Sequence, residues 1–300
     1  MMEASGCRIV RYRKQCAEFS IYDVADQHLL NRGCSKSHIV RDRDMIKKDP
    51  YALWFEGGDY GDWISPHDKR FDPEAYDPSI RVVDLAELGA VVTRWMLDYY
   101  SPIRKKCLGM LIGNHEFAYM NRGSEAFIHE YLCKKMGVPN MRFSGFTDIY
   151  FIHDRNLTTV PVRVSYSDTP PAIFTARLRV FIHHGSGAAN TAGGKINRLK
   201  AMVDMVEADL VLLGHSHEQF GKAFLRMVPN QDCSHIGQRI TMGMITGSYL
   251  RTYAPGFTGY GEMRGYAPAT LGATRARYIP EKRSLAVESR ADNVGLGGSV

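Results

Sequence analysis

Apolar stripes and apolar runs alternate along the first two-thirds of the chain. In DLAELGAVVTRWMLDYY, Leu85, Leu88, Val92, Trp95 and Tyr99 recur at three- and four-residue spacing, which predicts a helix with one buried face. SHIVRDRDMIKK reads as another helix, and KINRLKAMVDMVEA repeats the stripe with Ile196, Leu199, Val203 and Val206. SEAFIHEYLCKKMG has Ser124 as a candidate N-cap and Gly137 as a stop. Between about Arg142 and Arg179 the chain reads as short strands, and AFLRMV and RITMGMITGS offer more after Phe220. This alternation predicts an α/β fold, with the later strands forming a second sheet packed on the first. No repeat or low-complexity linker divides the sequence. A single domain over 1–300 is expected, with its core at about 15–280 and a loose polar, glycine-rich tail over 281–300.

Five of the apolar runs end alike. EFSIYDVADQH closes on Asp26 and His28, and YALWFEGGDYGD on Asp59 and Asp62. KCLGMLIGNHE closes on Asn114 and His115, LRVFIHHG on His183 and His184, and ADLVLLGHSH on His215 and His217. Carboxyl ends of neighbouring strands deliver side chains to a common edge, where ligands gather in open α/β sheets. Carboxylate, carboxamide and imidazole without thiolate suit Mn, Fe, Zn, Ni or Co rather than a structural zinc. Asp26 and His28 are two apart, so an extended chain would turn them to one side, and His215 and His217 share that spacing. So many donors suit two ions roughly 3.5–4 Å apart sharing one carboxylate, for which Asp59 is the natural choice.

Composition narrows the setting. Hydrophobic residues make up 44% and charged residues 23%, with a mean hydropathy of -0.27, as in ordinary globular proteins. No apolar stretch approaches the ~18–20 residues that span a bilayer, so no membrane partner is expected. The basic start MMEASGCRIVRYRKQ lacks the apolar segment of a secretory signal, which implies a cytoplasmic protein. The 6 cysteines are scattered, as free thiols would be. A net charge of +6 and a pI near 8.9 keep a polyanionic substrate such as nucleic acid open. The clusters RYRK, RDRDMIKK and IRKK are nonetheless short or mixed, as a solvated surface would be.

The five endings, D-Q-H, G-D-x-x-D, G-N-H-E, H-H-G and G-H-S-H in this order, resemble the calcineurin-like metallophosphoesterase superfamily over about residues 18–218. GGKINRL and ITGSYLRTY are similar to its compact phage and bacterial members. The resemblance implies a four-layer αββα sandwich of two mixed β-sheets flanked by helices, with a dinuclear metal site at the strand C-terminal rim. It implies two divalent ions, manganese foremost, with Fe, Zn, Ni, Co or Mg as alternatives. Asp26, His28 and His217 would hold one; Asn114, His215 and His184 (His183 being the alternative) would hold the other, with Asp59 between them. The implied reaction is hydrolysis of a phosphomonoester or phosphodiester by in-line attack of a metal-bridging hydroxide, with His115 as general acid and Asp62 orienting its ring. Glu116 is expected to fix its loop, and Lys195 to be a surface residue rather than a phosphate ligand.

Trp63 stands where phosphoserine and phosphothreonine phosphatases of the superfamily carry arginine, which argues against a protein phosphatase. A DNA exonuclease or endonuclease, and a non-catalytic metal-binding scaffold, are the alternatives. Residues 65–81 and 253–268 are candidate rim elements, and His38, His67, His129, His153 and His235 read as ordinary histidines. Oligomeric state is not encoded in any pattern found.

Overall fold

The structure, a computed structural model, describes residues 6–121, 125–187, 189 and 191–289. The strands are β1 (Cys7–Tyr12), β2 (Phe19–Val24), β3 (Ala52–Glu56), β4 (Cys107–Met110), β5 (Ser144–His153), β6 (Val162–Ser167), β7 (Ala176–His183), β8 (Leu210–Leu213), β9 (Phe220–Pro229), β10 (Ile236–Ile245), β11 (Thr274–Ile279) and β12 (Ser284–Glu288). The helices are α1 (Lys36–Lys48), α2 (Leu88–Tyr100), α3 (Asn114–Met120), α4 (Ile128–Met136), α5 (Ala192–Met205) and α6 (Tyr260–Met263). One sheet has 7 strands in the order β6-β1-β5-β7-β8-β10-β9, the other 5 in the order β12-β11-β2-β3-β4. Both are mixed. β2, β3 and β4 run parallel with β11 antiparallel to β2, and β7, β8 and β10 run parallel with β5 antiparallel to β7.

The core is layered as apolar alternation dictates. Phe19, Ile21, Leu53, Phe55 and Leu108 of the smaller sheet meet Val10, Phe151, Val180, Ile182, Leu210 and Leu212 of the larger one. The opposite face of the smaller sheet, with Tyr22, Val24, Trp54 and Cys107, packs on Ile39, Ile46, Val92, Met96, Leu132 and Met136 of α1, α2 and α4. Phe181, Val211, Leu213 and Ile245 of the larger sheet pack on Leu199 and Val203 of α5. The layers therefore run helix, sheet, sheet, helix, as expected.

Several local expectations change. The expected stripe through α2 shifts, because a 3-10 turn over Val82–Ala86 breaks the helix before Leu88. The buried face becomes Leu88, Val91, Val92, Met96 and Tyr100, while Trp95 lies under the Lys36 ammonium at 4.6 Å. Ser124 lies outside the described residues, and α4 starts at Ile128 after Phe127, with no side-chain cap. Gly137 does end α4, in the left-handed region at φ 68° that glycine adopts without strain. The tail expectation is corrected in part: β12 pairs antiparallel with β11, and Arg275 and Arg277 both bind Glu288. Val287 packs where Gly221 of β9 leaves room, since a Cβ there would meet it at 2.6 Å. Residues 290–300 lie outside the described residues. All 6 cysteines are free, and among the described residues no helix is long and apolar enough to cross a membrane.

Candidate metal centre

The five strand ends do converge, but not by extended geometry. β2 stops at Val24, and the loop after it is zipped to the loop after β3. Asp26 N–H donates to the Gly58 carbonyl at 2.9 Å, His28 N–H to Asp59 at 3.0 Å and Leu29 N–H to Tyr60 at 2.9 Å. Asp26, His28, Asp59, His215 and His217 all have positive φ, between 49° and 64°. The expectation that two-residue spacing alone aligns Asp26 with His28, and His215 with His217, is thereby corrected. Left-handed backbone turns these side chains together, at roughly 1–2 kcal/mol per residue, and Asp is among the residues that tolerate it best. Two motif glycines make the approach possible. A Cβ on Gly58, at φ 93°, would meet His184 Nδ1 at 2.7 Å, and one on Gly113 would overlap Asp59 Oδ1.

Ligand atoms of Asp26, Asp59, His184 and His215 lie within 4.8 Å of one another, and so do those of Asp26, His28 and His217. Asp26 thus stands in both groups, whereas the sequence made Asp59 the shared carboxylate. His184 Nε2 lies 3.1 Å from Asp59 Oδ2 and 3.1 Å from Asn114 Oδ1, which draws the carboxamide into the first group. His217 Nε2 is 3.2 Å from Asp26 Oδ1 and 3.4 Å from His28 Nε2. Of the two adjacent histidines, His184 enters the cluster. His183 turns away, its Nδ1 accepting from Gly185 N–H at 2.7 Å and its ring against Phe143.

These donors fit divalent cations. Two imidazole nitrogens and a carboxylate oxygen aimed at one point are satisfied by an ion better than by one another, and His215 Nδ1 is buried with no hydrogen-bond partner. The electrostatics agree. Burial works against ionised Asp59, yet His184, His115 and His28 outweigh it and hold the carboxyl well below its ordinary range. Burial likewise opposes a charged His184, but Asp59 and Asp26 pull its pKa up. The carboxylates therefore demand positive charge, which a cation supplies once His184 is neutral.

His115 borders this cluster with 14% of its side chain accessible. Its N–H donates to Asp59 Oδ1 at 2.9 Å, and its ring Nδ1 lies 2.5 Å from the backbone carbonyl of Asp62. A carbonyl only accepts, so Nδ1 carries a hydrogen and Nε2 holds the exchangeable proton. Burial opposes that proton, but Asp59 and Asp62 outweigh it and raise the His115 pKa. Asp62 lies against the His115 ring, through its carbonyl and with Oδ1 3.4 Å from the same Nδ1, and its carboxylate also binds His28 Nδ1 at 3.2 Å and accepts from Asn31 Nδ2 at 2.9 Å.

Glu116 fixes the loop more thoroughly than the motif suggested. At the start of α3 it accepts from the N–H groups of Gly113 (2.8 Å), Asp59 (2.9 Å) and Gly61 (3.1 Å), and from Trp63 Nε1 (2.6 Å). Trp63 thus completes the carboxylate's set of donors. Lys195 pairs with Glu218 at 2.9 Å. Buried His129 faces the Tyr60 hydroxyl and Asn140. The 253–268 element is moored beside the centre, since Ser248 Oγ and Tyr249 N–H both donate to the Asp26 carbonyl and Thr270 N–H to that of His217. Sequence reasoning missed Asn31, Asp23 and Arg70. Arg70 sits within 65–81, gripped through two nitrogens by Asp68 at 2.9 and 3.1 Å, and lines one crevice with Asp62. No ligand motif marks these three.

No family model matches the chain, and no curated protein matches it. Among solved structures it is similar to a conserved uncharacterized protein, described as a predicted phosphoesterase, from Streptococcus pneumoniae TIGR4, at 13% identity over 87% of this chain and 83% of that one, with a TM-score of 0.33. It is also similar to Vps29 of Chaetomium thermophilum, at 12% identity over 90% and 96% of the two chains, with a TM-score of 0.35. Five motifs in order, two mixed sheets between helices, and carboxylate–imidazole groups at their common edge make the chain resemble the calcineurin-like metallophosphoesterases.

Proposed function

We propose that the protein is a dinuclear metal-dependent phosphoesterase. The observation that carries this reading is the convergence of Asp26, His28, Asp59, Asn114, His184, His215 and His217 on one edge, with the partly accessible His115 beside them. Asp26, His28 and His217 would hold one ion, and Asp26, Asp59, His184 and His215, with the Asn114 carboxamide beside His184, would hold the other. When bound, the ions supply an acidified water as nucleophile and neutralise charge on the phosphoryl group.

The chain's own groups do the rest. The Asn114 carboxamide offers N–H donors to a phosphoryl oxygen. His115 gives its Nε2 proton to the leaving oxygen, with the ring held through Nδ1 by the Asp62 carbonyl.

Elemental analysis of protein purified without chelator, followed by one substrate panel with added manganese, tests the proposal. The panel comprises an aryl phosphomonoester, an aryl phosphodiester, single- and double-stranded DNA, and cyclic nucleotides. Two transition-metal ions per chain with turnover of at least one substrate are expected. Metal with no turnover on any ester would leave a binding scaffold, and less than one ion per chain after reconstitution would end the proposal.

A further inference from the structure

One carboxyl group beneath the centre has no part in the chemistry above. Asp23 lies on β2 between Tyr22 and Val24, on the strand face shared by Phe19 and Ile21, so its side chain enters the apolar layer between the sheets. It is fully buried, and neither carboxylate oxygen has a hydrogen-bond partner. Its surroundings belong to the centre. A Cβ on Gly57 would meet Asp23 Oδ1 at 2.6 Å, and the Gly57 carbonyl accepts from His184 Nδ1 at 2.8 Å. Thr246 Oγ1 donates to the Asp23 backbone carbonyl at 2.5 Å, tying β2 to the end of β10.

A charge stripped of water and left unpaired is strongly unfavourable, and an apolar residue would fill this position better on packing grounds. Burial, then the neighbouring Asp26, push the Asp23 carboxyl up to about 8. A pair of divalent ions held there would reverse that balance, because their charge would exceed what Asp26 and Asp59 supply.

We propose that Asp23 is the buried counter-charge of the metal centre, a positioning residue whose carboxylate balances the cations from beneath the Gly57–His184 contact. The inference rests on the metal reading above. Its cost falls on the metal-free protein and its benefit on the loaded one.

The experiment takes wild type, Asp23→Asn and Asp23→Val, strips each with chelator, and measures melting temperature and manganese and zinc affinity by competition with a chromogenic chelator. Metal affinity is expected to fall about tenfold or more, while the stripped variants melt at or above the wild-type temperature. Should Asp23→Asn fail to fold, Asp23→Val carries the same readouts; failure of both overturns the proposal. So does unchanged affinity, whatever the melting temperature, because a merely structural carboxyl would lower stability without touching metal. Wild type that takes up no metal sinks this inference and the phosphoesterase reading together. Wild type that loads while Asp23→Asn loads equally sinks this inference alone.

Discussion

Glu116 gathers four N–H donors from two segments, residues 59–63 and the head of α3, so its carboxylate locks Asp59, Trp63 and Gly113 in one frame. Glu116→Gln turns an amide N–H2 towards donors that need an acceptor. The expected loss is about 2–4 kcal/mol in urea unfolding, with lower metal content in the purified protein. Both buried donors and ligand geometry suffer from one change, so a variant as stable and as metal-rich as wild type would contradict this frame. His115 contributes differently, since it leans on Asp59 and Asp62 but completes neither ligand group that Asp26 belongs to. His115→Ala should keep its metal while turnover falls roughly 10²–10⁴-fold.

At the scale of elements, α4 is coupled to the metal loop through His129, whose Nδ1 lies 3.2 Å from the hydroxyl of Tyr60. Burial pushes His129 down to about 4, against an unfolded value near 6.5. Between these values the unfolded chain binds more protons than the folded one, so stability rises with pH across the window. This contribution is complete above about pH 6.5 and is lost as pH falls towards 4, on the order of 1–3 kcal/mol. His129→Gln should flatten that part of the stability profile of metal-stripped protein; an unchanged slope would place the acid sensitivity elsewhere. α1, α5 and the β9–β10 pair were legible in sequence, α5 through a stripe whose Leu199 and Val203 are buried. β1 and β11 were not, because CRIVRY and TRARYI interleave arginines with their buried positions and contain no apolar run. Arg8 is even buried, its guanidinium on the Leu108 carbonyl of the facing sheet, a use of arginine that no hydropathy pattern anticipates.

For the whole molecule, the centre draws on both sheets, with β2, β3 and β4 on one side and β7 and β8 on the other. Metal bound there would tie the sheets together and would not bind the unfolded chain in the same geometry. At a hundredfold excess over Kd the stabilisation should be about 2.7 kcal/mol, several degrees in Tm for a chain of this size. Manganese or zinc should raise Tm and EDTA should reverse the rise. A melting temperature indifferent to every divalent ion tried would mean that the converging ligands hold none.

The sequence by itself determined the types of candidate metal-binding side chains and their order along the chain. Asp, Asn and His follow apolar runs at Asp26, Asp59, Asn114, His184 and His215, and an apolar run ending at a polar cluster is a local pattern. Only the tertiary structure decided which of His183 and His184 turns inward, because that depends on Gly57, Asn114 and Phe143 arriving from other strands. It also decided that left-handed backbone aligns these side chains, that Asp26 stands in both groups, and that Asp62 divides itself between His28 and His115. Each of those outcomes is set by hydrogen bonds between loops far apart in the chain, and no spacing within a single segment contains that information.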